Sequence, residues 1–429
     1  MKRSLISSIG QSVGEEVLIQ GWIKTVRKQG GIVFVLLRDV TGVAQAIVMK
    51  SQGELFEQIK ELPVESVVNA VGKVQAQAQA PGGFELHLQS LEILSLAESP
   101  LPIPITAEKG NEASVSKRLD WRWLDLRDSS NALIFKVWTE LERGMRLYFE
   151  KENFIQLYTP AFMTAPSESG AEVFKVEYFE GSAYLAQSPQ FYKQMGIAAG
   201  LEKVFIVGPV FRAEPSFTAR HMTEFTGWDF EASYVTSHHD VMAIEEELLI
   251  SGLTQLQKSV LPELKLPSTP FPKLTMKEAK ARLAEAGVTS EKEGDLSPEE
   301  ERVICELVKQ ESNSDFVFIT DYPITVRPFY HMRSETDPTL TKSFDLLYKG
   351  VEISTGAQRE HRPEVLHRQA VEKGIVPASL EYYFNFFKYG CPPHGGVGMG
   401  PGRIVMKLLD LPSVKEATYL PRDVNRLTP

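Results

Sequence analysis

Phe211-Arg212-Ala213-Glu214, then Arg220-His221-Met222-Thr223-Glu224-Phe225, is the stretch on which the reading of this chain turns. The first block closes a strand-like run and the second opens another, with the short polar loop Pro215 to Ala219 between them. Two strands and a loop bring Arg212, Glu214, Arg220 and His221 together. Arginine presents a rigid fork of donors that matches phosphate oxygens, so the hairpin can clamp a nucleoside triphosphate. The ordinary alternative for four such residues is a salt-bridged surface hairpin.

Working outward, strand-like runs (Lys203 to Pro209, Thr223 to Tyr234, Ser343 to Ile353) mix with helical ones (Val241 to Gln257, Pro298 to Gln310, Pro363 to Lys373), an α+β layout. Ile134, Trp138, Leu141, Met145 and Tyr148 recur at steps of four and three, which predicts an amphipathic helix over Asn131 to Lys151. The charged, poorly periodic stretch 258–301 is expected to be a surface insertion.

Two further constellations lie C-terminal to the hairpin. Asp345 and Glu352 stand at the two sides of a hairpin-like element. Such a pair suits Mg²⁺ bridged to phosphates, because that hard ion takes oxygen ligands; a solvated acidic pair is the alternative. Gly395-Gly396-Val397-Gly398-Met399-Gly400-Pro401-Gly402-Arg403 precedes an apolar helix, Ile404 to Leu409. It imitates a dinucleotide fingerprint, yet too little chain follows to complete a βαβ unit. Either the glycines let backbone approach a ligand while Arg403 meets its charge, or they form a turn capped by a structural arginine.

Before residue 100 the pattern differs. Val17 to Val26, Ile32 to Arg38, Val43 to Met49, Ser66 to Val74 and Phe84 to Leu96 read as five strands; Phe84, Leu86 and Leu88 alternate with Glu85, His87 and Gln89. A five-stranded OB-fold barrel fits, beside other small barrels or sandwiches. Ser99-Pro100-Leu101-Pro102-Ile103-Pro104 reads as an extended linker. The expected division is 1–98 for the barrel, 99–130 for a hinge and 131–429 for the larger domain. The net charge of −10 argues against coating nucleic acid non-specifically. No run suits a membrane span and no signal peptide is evident, so the cytoplasm is the expected compartment, with no membrane partner. The two cysteines, Cys305 and Cys391, imply neither a disulfide framework nor a zinc cage.

Taken together these pieces resemble the class II aminoacyl-tRNA synthetases, and in detail the short archaeal and eukaryotic aspartyl-tRNA synthetases. The marks are Gly21-Trp22 and Arg38-Asp39, Arg118-Leu119-Asp120, Leu124-Asp125-Leu126-Arg127, and the endings Pro421-Arg422-Asp423 and Arg426-Leu427-Thr428-Pro429. Phe154 to Pro160 resembles motif 1, Phe211 to Glu231 motif 2, and Gly398 to Arg403 motif 3. The resemblance implies an OB-fold anticodon-binding barrel joined to a six-stranded antiparallel catalytic sheet flanked by helices. It also implies a homodimer built through motif 1, and ATP, L-aspartate, Mg²⁺ and tRNA(Asp) as substrates and partners, with tRNA(Asn) left open.

By the same resemblance, Arg212 and Arg403 are the catalytic arginines, Arg212 on the α-phosphate; Arg220, His221 and Arg403 hold the outer phosphates. Glu214 flanks the adenine, Phe225 stacks on it, and Asp345 and Glu352 hold Mg²⁺ at the ATP site. Lys193 and Arg359 pair with the aspartate side chain; Gln190 and Asp229 approach its amino group, with Thr355 nearby and Glu168 on a mobile loop. Arg27, Phe34 and Gln45 contact the anticodon. Two cations facing one carboxylate are compensated by aspartate and stranded by neutral asparagine. Pro401-Gly402 departs from the acidic or bulkier pair usual before the arginine. An asparaginyl-tRNA synthetase, an RNA-binding paralogue and an amidating enzyme on the same catalytic domain are the rivals; Lys193, the retained charged residues and the barrel speak against each in turn.

Overall fold

The computed structural model describes residues 1–106, 113–164, 172–216, 218–290 and 292–429. The chain divides into two compact units, Met1–Pro104 and Ile105–Pro429.

In the first unit β1 (Glu16–Gln29), β2 (Ile32–Asp39), β3 (Gly42–Met49), β4 (Val67–Ala76) and β5 (Phe84–Ser95) close a barrel in the order β1-β2-β3-β5-β4. β1 serves two neighbours, β4 through Glu16 to Trp22 and β2 through Trp22 to Gln29. Where it changes partner, a Cβ on Gly21 would lie 2.2 Å from the Arg38 carbonyl oxygen, so only glycine fits. Arg38 in turn pairs with the buried Glu65 at 2.7 Å and lies over Trp22. These sequence marks therefore shape the barrel. Val33, Val35 and Leu37 alternate inward on β2 and fill the core, which leaves Phe34 half-buried on the outer face.

In the second unit the strands are β6 (Ile155–Gln156), β7 (Phe162–Met163), β8 (Lys175–Tyr178), β9 (Gly181–Leu185), β10 (Lys203–Phe211), β11 (Glu224–Ser233), β12 (Lys273–Thr275), β13 (Phe316–Thr320), β14 (Ser343–Tyr348), β15 (Val351–Gln358) and β16 (His394–Met399). An eight-stranded sheet runs β12-β13-β14-β15-β16-β11-β10-β6, and β7-β9-β8 forms a small separate sheet. From β13 to β10 all pairings are antiparallel, the six strands the resemblance implies; β12 and β6 add a parallel strand at each edge. The expected run Ser343 to Ile353 is two strands, turning at Lys349 and Gly350, both with positive φ.

The helix predicted from Asn131 begins at Ser129, because the Asp128 carboxylate accepts from the Ser130 N–H and caps it. It packs its apolar stripe on the helix His238–Ser259, over one face of the sheet.

Residues 258–301 differ from the surface insertion expected. β12 joins the sheet edge, and the helix Met276–Glu285 follows it, with Thr275 and Glu278 capping each other. Leu274, Met276, Ala279 and Leu283 are buried with Ile304 and Val308 of the helix Pro298–Ser312 in a core of their own. Apolar residues at steps of three and four are enough for a helix; in the sequence they are diluted by charges that face solvent.

Candidate active site

The glycine-rich segment, expected as a turn or a ligand-facing loop, is mostly strand. β16 lies between β11 and β15 and so joins the two hairpins that carry the candidate residues. Register places Asp229, Gly398, Thr355 and Asp345 in one row across four strands, and Glu231, Gly396, Ala357 and Ser343 in another. A Cβ on Gly396 would lie 2.1 Å from the Phe230 carbonyl oxygen and 2.4 Å from a Glu231 carboxylate oxygen. The room this glycine makes is thus filled by Glu231, not by open space.

Glu231 is the hub of a buried charge cluster. Arg359 Nε lies 3.0 Å from its Oε1, and Lys193 Nζ lies 3.5 Å from its Oε2. Lys193, with no solvent exposure, is 2.9 Å from Asp229 Oδ2 and donates to the Val397 carbonyl at 3.0 Å. Arg359 also donates to the Gly396 carbonyl at 2.9 Å, and its Nη1 lies 2.9 Å from His331 Nε2. Gln190 Nε2 reaches Glu231 Oε2 at 3.5 Å. Burial raises the Asp229 carboxyl above its ordinary value against the pull of Lys193. Burial pushes on Glu231 as well, but Arg359 and Lys193 outweigh it and hold that group low. Lys193 and Arg359 are therefore not two free cations awaiting one carboxylate. They are balanced by two carboxylates of the protein.

A cavity of about 400 Å³ opens beside this cluster, lined among others by Gln190, Asp229, Thr355 and Arg359 and by Arg212, Glu214, Arg220, His221, Phe225 and Arg403. Arg212 extends over the Phe225 ring, 5.5 Å from its centroid, and its Nε has no hydrogen-bond partner. Glu214 is 3.9 Å away, too loose to hold it. His221 accepts or donates through Nδ1 with Ser216 and Thr218. Burial lowers its pKa, and Arg403, Arg220 and Arg212 lower it further against the pull of Glu214.

Arg403, in the first turn of the helix Pro401–Leu408, donates from Nη1 to the Glu352 carbonyl at 2.8 Å. Pro401 takes the first helical position, where its fixed φ suits the helix and no N–H is needed. The Pro-Gly departure thus leaves Arg403 facing the cavity. Thr355 Oγ1 lies 2.8 Å from Asp345 Oδ1 and 3.3 Å from Glu352 Oε1, so one hydroxyl bridges the two carboxylates. Burial and the neighbouring Asp345 push Glu352 up to about 6.

Five residues of this site were not singled out in the sequence. Glu231 and His331 belong to the buried cluster, and Tyr330 lies under Arg359. Glu301, from the segment expected as an insertion, pairs with Arg220 at 2.6 Å and accepts from the Glu352 N–H at 3.0 Å. Arg327 pairs with Asp345 at 2.8 Å. A lone arginine inside Ile324-Thr325-Val326-Arg327-Pro328-Phe329 was the available signal for the last. Glu168 lies outside the described residues.

On the barrel, Arg27 and Phe34 are cross-strand partners and Gln45 pairs with Leu36 two residues along, so all three share the outer face. Gln45 Nε2 donates to Glu85 Oε2 at 3.0 Å, which adds Glu85 to the group.

Two family models match the chain: tRNA synthetases class II (D, K and N) over residues 114–424, and OB-fold nucleic acid binding domain over 17–94. This chain belongs to the class II tRNA synthetases. The synthetase is 42% identical to the aspartate–tRNA(Asp/Asn) ligase of Aeropyrum pernix, covering 99% of this chain and 98% of that one. It is 39% identical to the aspartate–tRNA(Asp) ligase of Pyrococcus abyssi, covering 97% of each. Among solved structures it superposes on the asparaginyl-tRNA synthetase of Pyrococcus horikoshii with a TM-score of 0.94 at 34% identity, over the full length of both chains. The aspartyl-tRNA synthetase of Entamoeba histolytica gives 0.88 at 33%, over 100% of this chain and 93% of that one. Among the described residues of the synthetase no helix is long and apolar enough to cross a membrane.

Proposed function

We propose that this synthetase is an aspartate–tRNA ligase. It joins L-aspartate to ATP as aspartyl-adenylate, releases pyrophosphate, and transfers the aspartyl group to the 3′ end of tRNA(Asp), with tRNA(Asn) as a candidate second acceptor. The observation that carries the reading is the balanced cluster of Lys193, Arg359, Asp229 and Glu231 beside the cavity. As aspartate enters, its ammonium takes Asp229, which frees Lys193; the aspartate side chain then replaces that carboxylate, so the charges still balance. Asparagine would leave one buried cation unpaired, a cost of about 3 to 5 kcal/mol. Gln190 and Thr355 line the same cavity and fit the amino acid, and Glu168 belongs to that group by its motif.

Arg212 meets the α-phosphate as the aspartate carboxylate attacks it. No protein nucleophile is needed; catalysis rests on placing the carboxylate in line and neutralising charge. Arg220, His221 and Arg403 hold the outer phosphates. Phe225 offers the adenine the face that Arg212 leaves uncovered, with Glu214 alongside. Asp345 and Glu352 present carboxylate oxygens on either side of the Thr355 hydroxyl, an all-oxygen set that suits Mg²⁺. When bound there, the ion neutralises phosphate charge.

Arg27, Phe34 and Gln45 read the anticodon from the outer face of the barrel. The exposed Ile155 and Tyr158 within the motif 1 segment, and Leu147 on the helix before it, support a homodimer. The reaction belongs in the cytoplasm. Asparagine activation is the second reading, favoured by the superposition on an asparaginyl enzyme. ATP–pyrophosphate exchange with each amino acid separates the two: exchange with aspartate and not asparagine is expected, and the reverse would overturn the proposal. Aspartylation of purified tRNA(Asp) and tRNA(Asn) then settles the acceptor range.

A further inference from the structure

Arg327 is fixed in place before any ligand arrives. It follows a short 3-10 turn, Ile324–Val326, and precedes Pro328, so its backbone has little freedom. Its guanidinium carbon lies over the buried Tyr322 ring, 3.6 Å from the centroid, and its side chain is 10% exposed at the wall of the cavity. Nη2 is 2.8 Å from Asp345 Oδ2, an ion pair by distance, and neither Nε nor Nη2 has an aligned hydrogen-bond partner. The other oxygen of Asp345 is taken by the Thr355 hydroxyl. Both oxygens of this carboxylate are thus engaged.

We propose that Arg327 is a placeholder for the divalent cation: its guanidinium neutralises Asp345 until the cation takes Oδ2, and this competition sets cation affinity. A cation on Oδ2 would otherwise sit directly against a fixed positive charge, at a separation where like charges in a poorly solvated site repel strongly. Once displaced, the guanidinium remains at the cavity wall, where a phosphate oxygen of ATP is the acceptor its geometry suits. Arg327 is a positioning residue in this scheme. The inference rests on the assignment of Asp345 to Mg²⁺ made above.

The test is Mn²⁺ binding without ATP, followed by electron paramagnetic resonance on the full-length protein. Arg327→Met should bind Mn²⁺ about tenfold more tightly than the unaltered protein, since one competing charge is gone. Arg327→Lys, which keeps the charge, should remain close to the unaltered protein, and Asp345→Asn should bind more weakly. Unchanged or weaker binding by Arg327→Met, with Asp345→Asn still impaired, overturns the placeholder and leaves the Mg²⁺ site standing. Binding unaffected by Asp345→Asn overturns both. Should Arg327→Met fail to fold, the unaltered protein carries the test. Mg²⁺ titration should shift the ¹⁵N resonance of the Arg327 Nε, identified by its disappearance in Arg327→Lys, and a resonance that does not move refutes the proposal.

Discussion

Replacing Lys193 by methionine keeps the unbranched apolar stem and removes one charge from a site with no solvent exposure. Asp229, 2.9 Å away, and Glu231, 3.5 Å away, then share Arg359 alone, and the Val397 carbonyl loses its donor. Removing one partner of a buried pair costs about 3 to 5 kcal/mol, against a total domain stability of about 5 to 15 kcal/mol. Thermal melting should therefore fall by several degrees. The aspartate dependence of pyrophosphate exchange should weaken by about a hundredfold or more, the equivalent of about 3 kcal/mol. ATP binding, followed as thermal stabilisation by ATP, should survive, because Arg220 and Arg403 pair with Glu301 and Glu352, outside the Lys193 cluster. The double variant Lys193→Met/Asp229→Asn removes the stranded negative charge; it should regain most of the lost stability and none of the aspartate activation. That pattern would separate recognition from mere packing. Melting and aspartate dependence both unchanged in Lys193→Met would refute the charge argument, and so would a double variant that activates aspartate normally.

Two further outcomes follow from other parts of the molecule. Glu245, fully buried on the helix His238–Ser259, accepts from the Ser354 hydroxyl, and burial pushes its carboxyl up to about 8. Its folded pKa lies above its unfolded one, so the stabilisation is complete below the ordinary carboxyl range and is lost as pH rises towards 8. Glu245→Gln, neutral throughout, should match the parent near pH 4.5 and exceed its stability by about 4 kcal/mol at pH 8 to 9; denaturant melts showing a pH-independent difference would count against this. Phe34→Ala should leave pyrophosphate exchange intact and weaken tRNA aminoacylation by about 1 to 3 kcal/mol, the usual worth of one stacked base, whereas equal loss in both assays would point to a folding defect.

Much of this architecture was legible in the residues. The alternation of Phe84, Leu86 and Leu88 and the Gly/Pro breaks disclosed the barrel, because period two with one buried face has few other meanings. The hairpin from Phe211 to Phe225 was legible because its polar loop interrupts two apolar runs. The segment from 258 to 301 was not. Its buried positions are few and its charges many, and what makes Leu274 or Leu283 core is the edge strand and helix they meet. Phe34 was ambiguous for a related reason: Val33 and Val35 allow either phase, and the pairing with Arg27 fixes it.

The inventory can be read along the chain: which cations and carboxylates exist, in which motifs, and hence the class of chemistry. How they pair is a property of the folded molecule. Glu231 meets Arg359, and Glu301 meets Arg220, across separations of 128 and 81 residues. Arg327 occupies Asp345, and Gly396 gives its space to Glu231. Such pairings arise from strand order and register, which place distant segments side by side, and local periodicity carries no record of them. Two apparently free cations thereby became a neutral, buried cluster, in which the entry of one more carboxylate has to be matched charge for charge.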